Sequence, residues 1–250
     1  MAEAGRASGA DAGWAFVDLH CHTSASFDSL ASPRSMVAAA VRRGLTHVAI
    51  TDHDTIAGAL EARSAAPEGL TVIVGEEIRT SDGDLIAAFL DHAVPPGLSA
   101  AETVAAVREQ GGLVGIPHPF DRLRGSLGNR SRLGDDRRIL GIVSQVDWVE
   151  AWNARLMVGD GNARAAALAR EAGLPGVAVS DAHTTLEVGI ASTAVSFAAG
   201  DPGTSAGLLA GLHAGPRLTM GRASLYVRAV TPVAKLVQRA RGRGRVRAGA

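Results

Sequence analysis

The chain holds one cysteine and one lysine among its 250 residues, and aromatic side chains make up only 4% of it. A single thiol, Cys21, excludes a disulfide framework within the chain and fits a reducing compartment. The only lysine is Lys235, so the glycine-rich pieces Gly159-Asp160-Gly161 and Gly200-Asp201-Pro202-Gly203 cannot be P-loops and read as turns. No run approaches the roughly 18 uninterrupted apolar residues of a membrane span. Residues 1–13 are small, polar and acidic, unlike a signal peptide, and are expected to be a flexible N-terminus. These absences point to a soluble cytoplasmic protein with no membrane partner.

Acidic charge is also missing from the far end of the chain. Basic and acidic side chains balance at 25 each, yet Asp201 is the last acid and nine of the basic residues follow it. The preceding part is therefore acid-rich, which makes sense if carboxylates hold cations. Residues 233–250 contain Arg-Gly-Arg-Gly-Arg and read as a basic, solvated tail. Without interleaved aromatics, that tail lacks the stacking groups of a single-strand nucleic-acid binder.

Apolar residues make up 46% of the chain, enough for one full core. Short apolar runs at Ala15–His20, His47–Thr51, Thr71–Val74, Leu85–Leu90, Leu113–Pro117, Trp148–Ala151, Gly176–Ser180 and Ser192–Phe197 read as strands. Several are continuous Val/Ile/Ala runs, as strands buried on both faces should be. Helix signals lie between them. Ser32-Pro33 opens a helix that Gly44 closes, Ser99 and Glu102 form a capping box, and an alanine-rich helix spans Asp160 to Gly173. This alternation implies α/β architecture with a parallel sheet, closed as one barrel over residues 14–232. Residues 121–138 read as a long loop or lid.

Barrel chemistry collects at the carboxyl ends of strands. Reading off those ends gives His20 and His22, then Asp52-His53-Asp54, Glu76-Glu77, His118, and finally Asp181 with His183. Five of the eight histidines fall there, which random placement would not produce. His20 and His22 share a strand face, as do Asp181 and His183, because side chains alternate along a strand. Buried carboxylates and imidazoles packed so closely require neutralising cations, which points to a polynuclear metal centre. Cys21 faces away from the two histidines and reads as a core thiol. His47 begins a strand at the wrong end of the barrel, His213 sits in a late helix without ligand neighbours, and Trp148 and Trp152 read as core.

Asp18-Leu19-His20-Cys21-His22-Thr23, Ile50-Thr51-Asp52-His53-Asp54, Gly75-Glu76-Glu77-Ile78, Pro117-His118-Pro119 and Ser180-Asp181-Ala182-His183 resemble the conserved blocks of the PHP (polymerase and histidinol phosphatase) family, in the family's order. The resemblance implies a distorted (β/α)7 TIM-like barrel that hydrolyses phosphoesters with two or three divalent ions (manganese, zinc or iron). It implies a first cation site from His20, His22, Glu77 and Asp181, and a second from Asp28, His53 and His183. It implies a third from Glu77 and His118, with Glu77 bridging and preferred over Glu76. Many relatives carry a histidine where this chain has Asp84 after Gly83. Asp84 is the expected ligand there, with His92 as its rival, and aspartate would make that site weaker or manganese-preferring.

Metal activation would lower the pKa of a bridging water from ~15.7 towards neutrality, generating the attacking hydroxide. Asp54 or His183 is expected to carry the leaving-group proton. Arg122, Arg124, Arg130 and Arg132 of the long loop, with Asn153 and Arg155, are the expected phosphoryl contacts. The partner is expected to be a small phosphorylated substrate: a phosphomonoester, a nucleotide or a short oligonucleotide. Two other classes compete. Amidohydrolase barrels also begin with His-x-His, but those with binuclear centres often bridge the ions with a carboxylated lysine, which Lys235 in the tail cannot supply. A non-catalytic metal-binding module should have lost several ligands, whereas this chain retains nearly the whole set.

Overall fold

The computed structural model describes residues 13–121, 141–156 and 159–242. Nine strands form one sheet: β1 (Trp14–Asp18), β2 (His47–Ile50), β3 (Thr71–Arg79), β4 (Asp84–Ala88), β5 (Leu113–Ile116), β6 (Trp148–Asn153), β7 (Gly176–Val179), β8 (Ala191–Ser196) and β9 (Arg217–Met220). Their spatial order is β7-β6-β5-β4-β3-β2-β1-β8-β9. The helices among them are α1 (Pro33–Arg42), α2 (Ala57–Ser64), α3 (Ala100–Glu109), α4 (Gly161–Glu171), α5 (Ser205–His213) and α6 (Leu225–Ala240).

The sheet curls into a distorted, nearly closed barrel. Its seam between β7 and the β1–β8 pair is held by side chains and one isolated bridge. The Thr193 hydroxyl accepts from Ala178 N at 2.9 Å and donates to Ala178 O at 3.0 Å. The buried Asp18 carboxylate accepts from Ser180 N and Gly189 N, each at 3.0 Å. Carboxylate acceptors satisfy backbone donors that a continuous ladder would otherwise pair.

The expected capping signals operate. Ser32 accepts from Ser35 N with Pro33 in the first turn of α1, and Ser99 and Glu102 cap each other's backbone at α3. Two layers of core follow from the alternation of side chains. Ala15, Val17, Leu19, Ile73, Ile86, Trp148, Val177 and Val179 fill the barrel interior, while Val48, Ile50, Val72, Val74, Val114 and Ile116 pack outward against the helices. Gly115 is required where it stands, because a Cβ there would overlap the Trp148 indole.

The parallel-sheet expectation fails at four strand pairings. β4 runs antiparallel to both β3 and β5, because Arg79 and Asp84 close a hairpin too short for a crossover helix. β8 is antiparallel to β1 and β9 to β8. β3 also runs on through Glu76 and Glu77 to Arg79, so these acids lie within a strand rather than after one. The expected solvated tail from residue 233 is corrected as well: α6 continues to Ala240, and its Gln238 is fully buried. Among the described residues, no helix is long and apolar enough to cross a membrane.

Candidate metal centre

Past Asp18 the regular strand ends, and Cys21 forms an isolated parallel bridge with Ala182. His22 N donates to Ala182 O at 2.8 Å, and Ala182 N donates to His20 O at 3.3 Å. Cys21 and Ala182 belong to the outer apolar layer although Leu19 belongs to the inner one, so strict alternation breaks between Leu19 and Cys21, and the ligand atoms of His20, His22, Asp181 and His183 converge. A second bridge, His53 with Glu77, brings the β2 exit against β3. Asp54, His118 and Asp181 take positive φ values of 55°, 27° and 53°. Such left-handed turns at non-glycine residues cost about 1–3 kcal/mol each and cluster at functional sites. Here they follow three of the parallel strands at the same rim.

Glu77 is the hub. Its Oε2 lies 3.3 Å from His20 Nε2, His22 Nε2 and His53 Nδ1, and its Oε1 lies 3.2 Å from His118 Nε2. Asp181 Oδ1 approaches His22 Nε2 at 3.6 Å and His20 Nε2 at 3.8 Å. Asp28 Oδ2 sits 3.2 Å from both His53 Nε2 and His183 Nε2. Three overlapping groups have ligand atoms within 4.8 Å of one another: His20, His22 and Asp181; His22, His53 and Glu77; His22, Asp28 and His183. His20, His22 and Asp181 are sealed from solvent, whereas Asp28, His53 and His183 lie at the more open side.

The donor set fits divalent cations. His20 Nε2 and His22 Nε2 stand 2.9 Å apart, and two such nitrogens need a shared proton or cation between them. Burial would lower the pKa of His20, but the carboxylates of Glu150 and Asp181 outweigh it and hold it well above its ordinary value. Its proton thus supplies positive charge that a cation would replace. Burial would raise Asp28 and Glu77. Contacts with His183 and His53 instead hold Asp28 well below the carboxylate range, and His53, His118 and His20 do the same for Glu77. Burial, then the Arg155 guanidinium, push His183 down to about 3, leaving it the neutral imidazole that ligates metals.

Behind the ligands stands a layer of which sequence reasoning missed Glu150 and Glu187, and in which Asn153, expected as a phosphoryl contact, supports ligands instead. Glu150 Oε1 lies 2.6 Å from His20 Nδ1, while its Oε2 accepts from His118 N at 2.9 Å and from Asn153 Nδ2 at 3.0 Å. This carboxylate fixes which His20 nitrogen faces the cluster, a common device around metal-binding imidazoles. Asn153 Nδ2 also donates to Asp181 Oδ2 at 3.0 Å. Glu187 Oε2 accepts from His183 N at 3.0 Å, and Asp52 holds Thr23 through its backbone and hydroxyl at 2.6 and 2.7 Å. An acid at an inward position of an otherwise apolar strand was the available signal for Glu150.

Other expected residues lie elsewhere. Asp84 is buried at the start of β4, opposite Arg79 in the ladder, and like His118 it is in none of the three groups. Its rival His92 is exposed, with its backbone N–H donated to Gln110 Oε1. Asp54 accepts from Arg79 N at 2.9 Å. Glu76 accepts from Val94 N at 2.9 Å, away from the cluster, and its pKa is raised to about 8, chiefly by burial. Arg155 is buried, with Nη2 donating to Thr231 Oγ1 at 2.6 Å and Nε 3.6 Å from Glu187 Oε1. Arg122, Arg124, Arg130 and Arg132 lie outside the described residues. Cys21 and Trp148 are buried as expected, and the Trp152 indole N–H donates to Gly221 O at 2.8 Å.

Residues 18–134 match the family model of the PHP domain, and residues 159–216 match the PHP-associated region. An uncharacterized protein of Methanocaldococcus jannaschii is 40% identical over 124 residues, covering 45% of this chain and 72% of the relative. A second uncharacterized protein of that organism is 32% identical over 173 residues, 69% of this chain and 67% of the relative. The 5'-3' exoribonuclease of Haemophilus influenzae is 36% identical over 117 residues, which is 42% of each chain. Among solved structures, a two-domain Bacteroides vulgatus protein containing a predicted PHP-like metal-dependent phosphoesterase superposes with a TM-score of 0.68 at 19% identity, over 83% of this chain and 65% of its own. Endonuclease Q of Pyrococcus furiosus gives a TM-score of 0.60 at 16% identity, over 82% of this chain and 57% of its own. At these identities the two structures speak for the fold.

Proposed function

Because the chain belongs to the PHP-domain family, we propose that it is a metal-dependent phosphoesterase, acting on a nucleotide, a short oligonucleotide or a related phosphomonoester. The observation that carries this reading is Glu77, one carboxylate within 3.2–3.3 Å of four imidazoles. A carboxylate hub takes the place that a carboxylated lysine holds in many binuclear amidohydrolases, and the only lysine of this chain lies on α6. The nucleotide part of the reading draws support from the likeness to the exoribonuclease, of which this chain spans 42%.

Two or three divalent cations (manganese, zinc or iron) held by His20, His22, Asp28, His53, Glu77, His118, Asp181 and His183 would supply Lewis acidity towards the phosphoryl group and an acidified water. The protein's own groups do the rest. Glu150 keeps His20 Nε2 turned towards the cluster, and Asn153 steadies Asp181. The sealed inner side excludes bulk water, so the substrate enters past Asp28, His53 and His183. Arg155, between Glu187 and Thr231, brings fixed positive charge beside His183 for a phosphoryl oxygen. His183, whose Nε2 lies 3.2 Å from Asp28 Oδ2, serves as a ligand.

The test is a panel of p-nitrophenyl phosphate, bis(p-nitrophenyl) phosphate, nucleoside monophosphates and bisphosphates, and 5′-phosphorylated RNA, each with manganese or with chelator. Manganese-dependent cleavage of at least one, abolished by His20→Ala, is the expected result. No cleavage of any of them by metal-loaded protein would refute the reading.

A further inference from the structure

We propose that α6 is a working part of this centre: Gln238 and Thr231 are positioning residues that hold the Asp28/His53/His183 side in shape. The proposal rests on the metal-dependent reading above. The two residues stand seven positions apart, two helical turns, and the half-buried Thr231 and buried Gln238 lie on one face of α6 with the buried Val227 and Ala234.

Gln238 is fully buried, and its Nε2 donates to the carbonyls of Ser24 at 2.8 Å, Ser26 at 3.0 Å and Ser29 at 2.8 Å. Three carbonyls around one atom require the amide nitrogen rather than its oxygen, so the orientation is fixed by chemistry. The partner oxygen, Oε1, is buried without a hydrogen bond among the described residues. A polar group kept at that cost where an apolar one would fit calls for a reason. The loop that Gln238 gathers carries Asp28. Ser26 Oγ donates to Asp28 Oδ1 at 2.8 Å, and Ser29 Oγ donates to His183 O at 2.9 Å.

The other contact works from the opposite side. Thr231 Oγ1 accepts from Arg155, Arg155 faces Glu187 Oε1, and Glu187 Oε2 accepts from His183 N. Between the two, Lys235 Nζ lies 5.4 Å from the centroid of Phe27, whose ring is 4.8 Å from that of His53. Each of the three ligands on the open side is thus reached from α6 through one or two intervening groups. α6 lies downstream of both matched segments, so the chain adds this support from outside them.

Gln238→Met keeps the side-chain volume and removes the donors. Manganese binding by calorimetry and by bound-metal analysis is expected to weaken roughly 10- to 100-fold, the range for groups that orient metal ligands. Half-saturating manganese for hydrolysis should rise in parallel, with turnover recovered at excess metal. Thr231→Val should show the same direction more weakly, and it decides the matter if Gln238→Met does not fold. Leu236→Gln, on the exposed face, should leave binding and turnover unchanged. Manganese affinity within twofold of wild type in both positioning variants would overturn the proposal while leaving the phosphoesterase reading intact. Wild-type protein that binds no divalent ion would overturn both.

Discussion

The two mouths of the barrel use the same side chain in opposite ways. At the entry of β2, His47 is buried, with Nδ1 2.8 Å from Thr46 Oγ1. Burial lowers its pKa, with Asp201 opposing, and no carboxylate lies within ion-pair distance among the described residues. At the exit of β1, His20 is equally buried, yet Glu150 and Asp181 outweigh burial and raise its pKa. For one histidine burial outweighs the single acid and lowers the pKa; for the other the buried acids outweigh burial and raise it. Burial alone therefore says nothing about function; what decides is whether acids are buried alongside.

The largest break in this comparison should come from exchanging His20 and His47 for alanine in turn. His20→Ala should remove bound metal and lower kcat/KM by roughly 10³-fold or more, since a catalytic cation supplies several kcal/mol of transition-state stabilisation. His47→Ala should leave both within a few-fold, read by metal analysis and steady-state rates. If His20→Ala keeps its metal and its rate, the ligand assignment is wrong. Trp148→Ala, in the barrel interior, should cost about 3–5 kcal/mol in denaturant unfolding. Glu150→Gln should weaken metal affinity by roughly 10- to 100-fold without comparable loss of stability, because it orients a ligand rather than filling the core.

The smallest effect sharpens the contrast most. His47 has a depressed folded pKa, so its share of stability is present above 6.5, near its unfolded value, and is lost as pH falls through the folded value. His20 in metal-free protein has a raised folded pKa, so its share is present below 6.5 and is lost as pH rises through the folded value. Denaturant titrations of metal-free His47→Gln and His20→Gln against pH should therefore change slope in opposite directions. Slopes of the same sign would mean that one environment is misread.

Much of the rim was legible because strand alternation is a local rule. His20, His22, Asp181 and His183 announced a shared face by their spacing, and His53 and His118 by following apolar runs. What escaped was set by contacts between distant segments. Glu150 reaches His20 across 130 positions, and Gln238 reaches Ser24 across 214. No spacing encodes such pairs. α6 was hidden by its company, since arginine and glycine around residue 241 suggest a solvated tail. Among the described side chains its inner face is marked by the buried Val227, Ala234 and Gln238, with Thr231 half-buried beside them. The antiparallel β4 escaped because a continuous apolar run reads the same in either direction.

The bridge between Cys21 and Ala182 ties catalytic fidelity to core packing. In that short stretch, outward neighbours belong to the apolar layer and inward neighbours are the cation ligands. A slip of one residue would drive two imidazoles into hydrocarbon and a thiol into the acidic cavity. Errors of register at this place are therefore expensive, because they would misplace core and cluster together.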